Sequence, residues 1–515
     1  MCRAEGENFS EEKCRGGLKF GLKYGIMWAM NRKTILSLVV VALGATAGAR
    51  PFDVTLWRGE TAAFRFLGSS ELGKDAPKEF SLKRGTLKSV KYAPSPRSLE
   101  RREKLDRVVW DEDEARPDVI EVSVPSSTKA GVYTCGELRV TVLDRFLPPA
   151  KEWKYFLDLW QHPWAVARVA DVKPFSRGHY KAMKKVWEAL ATAGQKTLTV
   201  TLVDEPWNHQ CFDAYHSMIG RVKKADGTWE FDYSIFDEYV EFGRGCGIGP
   251  DIACYTMCPW NYVCRYENER GEVQAVTCNP GTKEFEDFWG DFLVDFAAHL
   301  KAKGWFEDTY IAMDERTPED VKNIATFIQK KVPGFKIAMA GNRKPSDFVG
   351  ITIDNYSQLL DYVTPEFMKE VKERQAKGYK TTYYVCCIPY FPNTFLSSGE
   401  GEAFWMGAFP GVIGLDGMLR WAWNSWPKDP KEDASYDHWA AGDTFLVYPD
   451  GEPSWRFLEL RSGIVAAEKL RILKEQNLFT KEIEGLEKMY KPQEAIQNKS
   501  DFKGIRNRTL QIVNQ

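Results

Sequence analysis

Asp308-Thr-Tyr-Ile-Ala-Met-Asp314-Glu315-Arg-Thr-Pro-Glu-Asp320 is the stretch from which the fold is read. A short apolar run ends in two adjacent carboxylates, and a helix start follows at once. Thr317 can cap that helix, Pro318 suits its first position, and Glu319 and Asp320 place negative charge in its first turn. Asp314 and Glu315 are therefore expected at the C-terminal tip of a strand that feeds a helix. In a parallel α/β fold, ligands and chemistry gather at that tip. Acidic residues are also common where a loop opens, so the pair alone does not separate a site from a solvated turn.

Outward from this unit, apolar runs alternate with amphipathic segments. Strands are predicted at Tyr155–Leu159, Thr197–Val203, Ile252–Thr256, Thr309–Met313, Lys336–Met339, Ile351–Ile353, Thr381–Cys386 and Val412–Leu415. Helices are predicted near 177–193, 234–245, 283–302, 318–331, 364–377, 400–408 and 454–475. The fifth unit is thin, with only Pro345-Ser-Asp-Phe348 as a helical turn. Eight strands with interleaved helices predict an α/β fold, a (β/α)8 barrel of the TIM type over residues 150–476. A doubly wound sheet is the alternative, but no G-x-G-x-x-G opens it. Residues 50–147 read as an all-β sandwich, with alternating runs such as Thr61-Ala-Ala-Phe-Arg-Phe66 and Val119-Ile-Glu-Val-Ser-Val124. The charge-dense run Arg97 to Arg107 reads as a solvated loop, and Leu147-Pro148-Pro149 as the linker. Residues 477–515 read as a polar tail, at most a loosely packed helix.

The 515 residues carry a formal net charge of -2, which makes no electrostatic case for nucleic acid. Met30-Asn-Arg32-Lys33, the apolar run Ile35 to Ala45 and Ala47-Gly48-Ala49 have the layout of a signal peptide over 30–49. Translation is expected to begin at Met30, with residues 1–29 as a wrongly included extension. Cleavage near Ala49 predicts a periplasmic or secreted protein. The apolar run is too short to span a bilayer, so the mature chain is expected to have no transmembrane segment. Cys254, Cys258, Cys264 and Cys278 lack the paired spacing of structural zinc sites, so buried free thiols are expected, with no metal and no cofactor.

Residues just after each barrel strand should face one site. That places His162 and Trp164 after the first strand, Asp204 and Glu205 after the second, and Trp260 after the third. Asp314 and Glu315 follow the fourth, and Asn355 and Tyr356 the sixth. Asp416, Arg420, Trp421, Trp423 and Asn424 follow the eighth. Carboxylates, amides and indoles suit a neutral, hydroxyl-rich ligand such as a sugar. Each has a plainer reading. His162 could be a satisfied structural histidine, Asp204 and Glu205 a turn, and one of Trp421 and Trp423 core, because strand residues alternate faces.

Ordinary glycosidases need two carboxyl groups flanking the scissile bond, about 5–5.5 Å apart for retention and roughly 6.5–9.5 Å for inversion. Neighbours on one strand tip rarely straddle a sugar ring. They suit substrate assistance, in which a 2-acetamido carbonyl attacks the anomeric carbon. Glu315 would then be the acid and later the base. Asp314 would orient the acetamido group and stabilise the oxazolinium.

The pair Asp314-Glu315 after an apolar strand resembles the catalytic pair of glycoside hydrolase family 123. So do Leu415-Asp-Gly-Met-Leu-Arg420-Trp421-Ala-Trp423-Asn424, Gly442-Asp443-Thr-Phe-Leu-Val-Tyr448-Pro449 and the helix from Ser454 to Ile464. The resemblance covers about residues 50–475. It differs at Trp423, where similar barrels often carry Tyr. It implies a β-sandwich before the barrel and a retaining β-N-acetylgalactosaminidase. The implied substrate is an oligosaccharide or glycosphingolipid-type glycan with terminal N-acetylgalactosamine. The alternatives are a glycosidase in which Glu315 is acid/base and Asp204 or Asp416 the nucleophile, and a non-catalytic sugar-binding barrel.

Overall fold

The structure, a computed structural model, describes residues 52–66, 80–111 and 113–515. The expected extension over 1–29 and the signal peptide over 30–49 lie outside the described residues. Strands β1 (Phe52–Arg58), β2 (Thr61–Arg65), β3 (Ser81–Tyr92), β4 (Arg102–Trp110), β5 (Val119–Ser123), β6 (Gly131–Cys135) and β7 (Leu138–Phe146) build the N-terminal sandwich. One sheet has the order β1-β7-β6 and the other β2-β5-β3-β4. Val54, Leu56, Ile120, Val122, Leu138, Val140 and Val142 alternate inward and fill the space between them.

Arg102–Trp110 is a strand, not the solvated loop expected for Arg97 to Arg107. Its charges misled the reading because one of them is buried on purpose. Asp106 points away from solvent and accepts from Tyr448 Oη at 2.7 Å and from Arg456 Nε at 3.1 Å.

Eight parallel strands follow, with a second sheet inserted among them. Chain order is β8 (Phe156–Leu159), β9 (Thr197–Thr201), the inserted β10 (Gly220–Lys223) and β11 (Trp229–Asp232), then β12 (Asp251–Tyr255). The inserted β13 (Val263–Asn268) and β14 (Val273–Thr277) come next. They precede β15 (Thr309–Asp314), β16 (Lys336–Gly341), β17 (Asn355–Leu359), β18 (Lys380–Val385) and β19 (Gly417–Arg420). The barrel order is β8-β19-β18-β17-β16-β15-β12-β9. The seam between β8 and β9 has a single parallel bridge, Leu157 to Gln195. Side-chain amides complete it. Gln195 Oε1 accepts from Leu159 N at 3.0 Å, and Gln161 Oε1 accepts from Thr199 N at 2.9 Å. Buried polar groups are thus paired where the ladder is short.

Two strands begin later than expected. Ile351–Ile353 is loop, and the sixth barrel strand starts at Asn355. Val412 and Ile413 close a helix, and the eighth strand starts at Gly417. Both predicted segments are apolar runs of three or four residues, too short for periodicity to separate strand from helix end. The inserted four-stranded sheet, order β11-β10-β13-β14, was not anticipated, because its strands are short and partly exposed.

Helices α1 (Pro163–Val169), α2 (Arg177–Ala191), α3 (Ser234–Gly245), α4 (Lys283–Lys303), α5 (Pro318–Lys331), α6 (Pro365–Ala376) and α7 (Glu402–Ile413) wrap the barrel. Helix α8 (Trp455–Glu475) is the spine between barrel and sandwich. Its Arg456, Arg461 and Lys469 pair with Asp106, Glu121 and Glu60 of the sandwich, all six groups being buried. A cavity of about 740 Å³ lies at this junction, lined by Arg65, Lys104, Trp455 and Glu459, and does not reach Asp314.

The C-terminal segment is not a loose tail. It forms α9 (Thr480–Glu487), α10 (Pro492–Ile496) and α11 (Phe502–Val513), and buries Ile483, Leu486, Tyr490, Phe502, Ile505 and Ile512. Trp57 Nε1 donates to Val513 O at 2.8 Å, tying this segment back to β1. No helix among the described residues is long and apolar enough to cross a membrane.

Candidate active site

Asp314 is the last residue of β15 and pairs in register with Ala340 of β16. Successive strand residues point to opposite faces, so a regular continuation would turn Glu315 away from the barrel axis. The backbone avoids this. Glu315 sits at φ 48°, in the left-handed region, while its N–H still donates to Ala340 O at 2.8 Å. The chain then enters α5 through Thr317, whose hydroxyl accepts from Asp320 N at 3.1 Å. The bend brings both carboxylates to the barrel mouth.

Their surroundings differ. Glu315 Oε1 accepts a hydrogen bond from Tyr384 Oη on β18, across the mouth. Asp314 is buried, and neither of its carboxylate oxygens has a hydrogen-bond partner. The Trp260 indole N–H faces the Asp314 carboxylate without completing a hydrogen bond. Arg316 stacks on Trp260, 5.0 Å from the ring centre, and its Nε donates to Asp314 O at 3.0 Å.

Burial raises the pKa of both carboxyl groups. For Glu315 the Asp314 charge adds to burial, and the hydrogen bond from Tyr384 pulls partly the other way. A dry wall and an acidic neighbour thus hold a carboxyl group in its protonated form.

Aromatic rings pack round this pair. Trp160 and Trp207 stack at 5.0 Å, and Tyr255 lies 4.5 Å from Trp160 and 5.2 Å from Trp207. Trp421 meets Trp439 edge-on at 5.7 Å, and its Nε1 donates to Asp443 Oδ1 at 3.3 Å. Arg420 is wholly buried and pairs with Asp443 at 2.9 Å. It also donates to Thr394 Oγ1 at 2.7 Å and Asn393 Oδ1 at 3.0 Å, fixing the loop after β18. Both Asp314 oxygens, Asp443 Oδ2, Arg420 Nη1 and the indole nitrogens of Trp160 and Trp260 are buried without partners. Unpartnered groups of this kind at the barrel mouth are ones that a bound ligand can satisfy.

Several expected site residues serve the scaffold instead. His162 caps α1, stacks on Tyr215 at 3.7 Å and bonds Asp213 O through Nε2 at 3.1 Å. Burial lowers its pKa to about 3, so it is neutral. Asn424 bonds the His162 backbone twice, N–H to Oδ1 and Nδ2 to O, each at 2.9 Å, clamping the ends of β8 and β19 together. Trp164 is buried against Phe175, Tyr215 and His216. Trp423 is buried with its Nε1 on Val186 O and its ring on Phe457, so it faces the helices.

Asp204 accepts from Ser217 N at 3.0 Å. Glu205 accepts from His209 N at 2.9 Å and lies 3.3 Å from His209 Nδ1. Both brace the loop after β9.

Asn355, Tyr356 and Asp416 are at the wrong end for the site. The late starts of β17 and β19 place them at the N-terminal mouth. Tyr356 donates to Arg343 O, and Asp416 accepts from Thr381 N at 2.6 Å. Of the expected set, Asp314, Glu315, Trp260, Arg420 and Trp421 gather at the C-terminal mouth.

Tyr384, Tyr255, Arg316 and Asp443 were not named as site residues. Period-two alternation within Thr381–Cys386 would have turned Thr382 and Tyr384 inward together.

A barrel with buried carboxylates and indoles at its C-terminal mouth defines the class as glycoside hydrolase-like. The model of the glycoside hydrolase 123 catalytic domain matches residues 160–473, more than half of the chain. The chain belongs to glycoside hydrolase family 123 and is a glycosidase. A family 123 glycoside hydrolase from Clostridium perfringens, studied for glycolipid glycan hydrolysis, superposes with a TM-score of 0.76. The two share 24% identity over 91% of this chain and 94% of that one. A GH39 enzyme from Xanthomonas axonopodis pv. citri is more distant. It has a TM-score of 0.37 and 13% identity, over 64% of this chain and 68% of that one. No curated protein matches the chain.

Proposed function

We propose that this enzyme removes terminal β-linked N-acetylgalactosamine with retention of configuration, through an oxazolinium intermediate. The observation that carries the reading is the state of Asp314, buried beside Glu315 with both oxygens unpartnered. An ordinary nucleophile would need its partner carboxylate across the ring, about 5–5.5 Å away. Adjacent strand-tip residues suit a substrate that brings its own nucleophile.

In the first step the acetamido oxygen attacks the anomeric carbon. The glycosidic bond breaks, and Glu315 gives its proton to the leaving oxygen. Asp314 accepts the acetamido N–H and offsets the positive charge on the oxazolinium ring. In the second step Glu315 takes a proton from water, which opens the ring from the same face. The raised pKa of Glu315 keeps the acid charged with its proton before the first step. Trp260 and Trp421 are the sugar-facing indoles in this scheme. A glycolipid-type glycan is the proposed natural substrate, in keeping with the Clostridium perfringens enzyme. A periplasmic or secreted location is proposed from the segment over 30–49.

The test is hydrolysis of an aryl β-N-acetylgalactosaminide beside the matched β-galactoside, by the native chain, Asp314→Asn and Glu315→Gln. Cleavage of the acetamido sugar alone, lost in both variants, is expected. Comparable cleavage of the plain galactoside would sink the substrate-assisted scheme. Faster cleavage of the gluco epimer would overturn the galacto preference.

A further inference from the structure

Beyond the bend at Glu315, the side chain of Arg316 is buried and folds back along the strand tip. Its Nε donates to Asp314 O at 3.0 Å, and its guanidinium lies 5.0 Å over the Trp260 ring. The loop that carries Trp260 is fastened on both sides of the ring. Trp260 N donates to Pro206 O at 3.0 Å, and Tyr262 Oη donates to Asp320 Oδ2 of α5 at 3.1 Å. Cys258 and Tyr262 of the same loop face the Arg316 guanidinium. Arg316 therefore sits between strand tip and loop and covers one face of the indole. The indole edge is left for the mouth: Nε1 is buried without a partner and faces the two unpartnered oxygens of Asp314.

A flat cation suits this place. A guanidinium stacks on an indole while its own edge donates hydrogen bonds, which an ammonium cannot do. Its charge also acts unequally on the pair. Burial raises the Asp314 carboxyl group, and the Arg316 charge opposes this in part. Burial raises Glu315 as well, but there the Asp314 charge adds to it. The other titratable groups facing the pair are Tyr255 of β12, Tyr384 of β18 and Cys386 just beyond it. None of these three brings positive charge.

We propose that Arg316 is a positioning residue that places the proton shared by the pair. It holds Asp314 as the carboxylate, leaves the proton on Glu315, and sets the Trp260 N–H toward Asp314. Asp314 must be ionised to accept the acetamido N–H, and Glu315 must be protonated to release the leaving group. A proton moved from Glu315 to Asp314 would disable both at once. This catalytic consequence rests on the function proposed above; the placement of the proton does not.

The experiment follows the indole N–H of Trp260 against pH by nitrogen-15 NMR. The chain has 18 tryptophans, and the Trp260 signal is the one lost in Trp260→Phe. Asp314→Asn identifies the titration step that belongs to Asp314. Native chain, Arg316→Lys, Arg316→Met and Arg316→Gln are compared, the last two giving independent uncharged variants. Loss of a positive charge raises a nearby carboxyl group. The midpoint is therefore expected to move up by about one unit in Arg316→Met and Arg316→Gln, and by less than about 0.3 unit in Arg316→Lys. Hydrolysis of an aryl β-N-acetylgalactosaminide is followed in parallel. In the uncharged variants the acid limb of kcat/KM should move up with the midpoint, and the plateau kcat should fall about tenfold. Arg316→Lys should keep the limb and raise KM about threefold, because the flat stack on Trp260 is lost. An unmoved midpoint in the uncharged variants, or an equal shift in Arg316→Lys, would overturn the placement of the proton. Rate losses alike in all three variants, with the acid limb unmoved, would reduce Arg316 to a structural support. If the native chain cleaves no acetamido sugar, the function proposed above fails, and the indole titration still decides the role of Arg316.

Discussion

At the N-terminal end of the barrel, Asp251, Asp354 and Asp416 are each spoken for. Asp251 pairs with Lys380 at 2.7 Å, Asp354 accepts from Ile337 N at 2.8 Å, and Asp416 accepts from Thr381 N at 2.6 Å and Gln375 Nε2 at 3.0 Å. At the C-terminal end, Asp314 has no hydrogen-bond partner and Glu315 has Tyr384. The difference follows from strand polarity. The start of a parallel strand exposes N–H groups, which carboxylates satisfy. Its end exposes C=O groups, which carboxylates cannot. A carboxylate at the N-terminal end therefore finds donors nearby, whereas at the C-terminal end Glu205 and Asp443 depend on donors brought by loops and side chains, and Asp314 has none. Burial at the first end supports the scaffold, and burial at the second costs stability and supplies reactivity.

The largest effect that could break this contrast is on rate. Glu315→Gln is expected to lower kcat by about 10²–10⁴-fold on a substrate with a poor leaving group, the range for loss of a general acid. Asp416→Ala, half-buried and also acidic in origin, should leave kcat per folded molecule within about twofold, because the residue lies at the far mouth. Steady-state kinetics on both variants checks this. A rate loss in Asp416→Ala matching that in Glu315→Gln would end the division between the two ends.

The next effect is on stability, and it should change sign between the ends. Asp416→Ala leaves Thr381 N and Gln375 without an acceptor, which costs about 1–3 kcal/mol. Asp314→Asn removes a buried charge with no partner and should stabilise the fold by about 0.5–2 kcal/mol near neutral pH. Denaturant melts of the two variants at one pH give the comparison. Destabilisation by Asp314→Asn would mean that its carboxylate has support within the protein.

The same polarity explains what could be read from the sequence and what could not. Thr309–Asp314 has an apolar body, a carboxylate tip and a strong helix start behind it, so its end was placed to within a residue. Local signals fixed the Thr317 cap and Pro318 as well. Asp354 and Asp416 looked alike in sequence, each a carboxylate after a short apolar run. Ile351–Ile353 and Val412–Leu415 were too short to betray that the strands still lay ahead, so Asn355, Tyr356 and Asp416 were assigned to the wrong mouth. Nor could spacing reveal that Arg420 is consumed by Asp443, or that Asn424 clamps His162, since those contacts join distant segments. The charged strand Arg102–Trp110 hid for a related reason: its inward aspartate is tolerable only because α8 brings Arg456 to it.

The smallest effect concerns how far the mouth holds a proton. Glu315 has a folded pKa above its unfolded one, chiefly through burial and then through Asp314. Between those values the folded state binds more protons than the unfolded state. This contribution to stability is therefore present at low pH and is lost as pH rises through the folded pKa. Activity that needs protonated Glu315 falls over the same upper window. The Tyr384 hydrogen bond opposes the shift, because it favours the carboxylate. Tyr384→Phe should therefore move the alkaline limb of kcat/KM upward, by about half a unit to one unit, with a modest loss at the plateau. A pH–rate profile of the variant against the native enzyme reads this directly. A limb that moves downward would mean that Tyr384 stabilises the protonated acid. In that case Tyr384 would act on the C-terminal mouth in the opposite sense to the donors that hold the carboxylates at the other end.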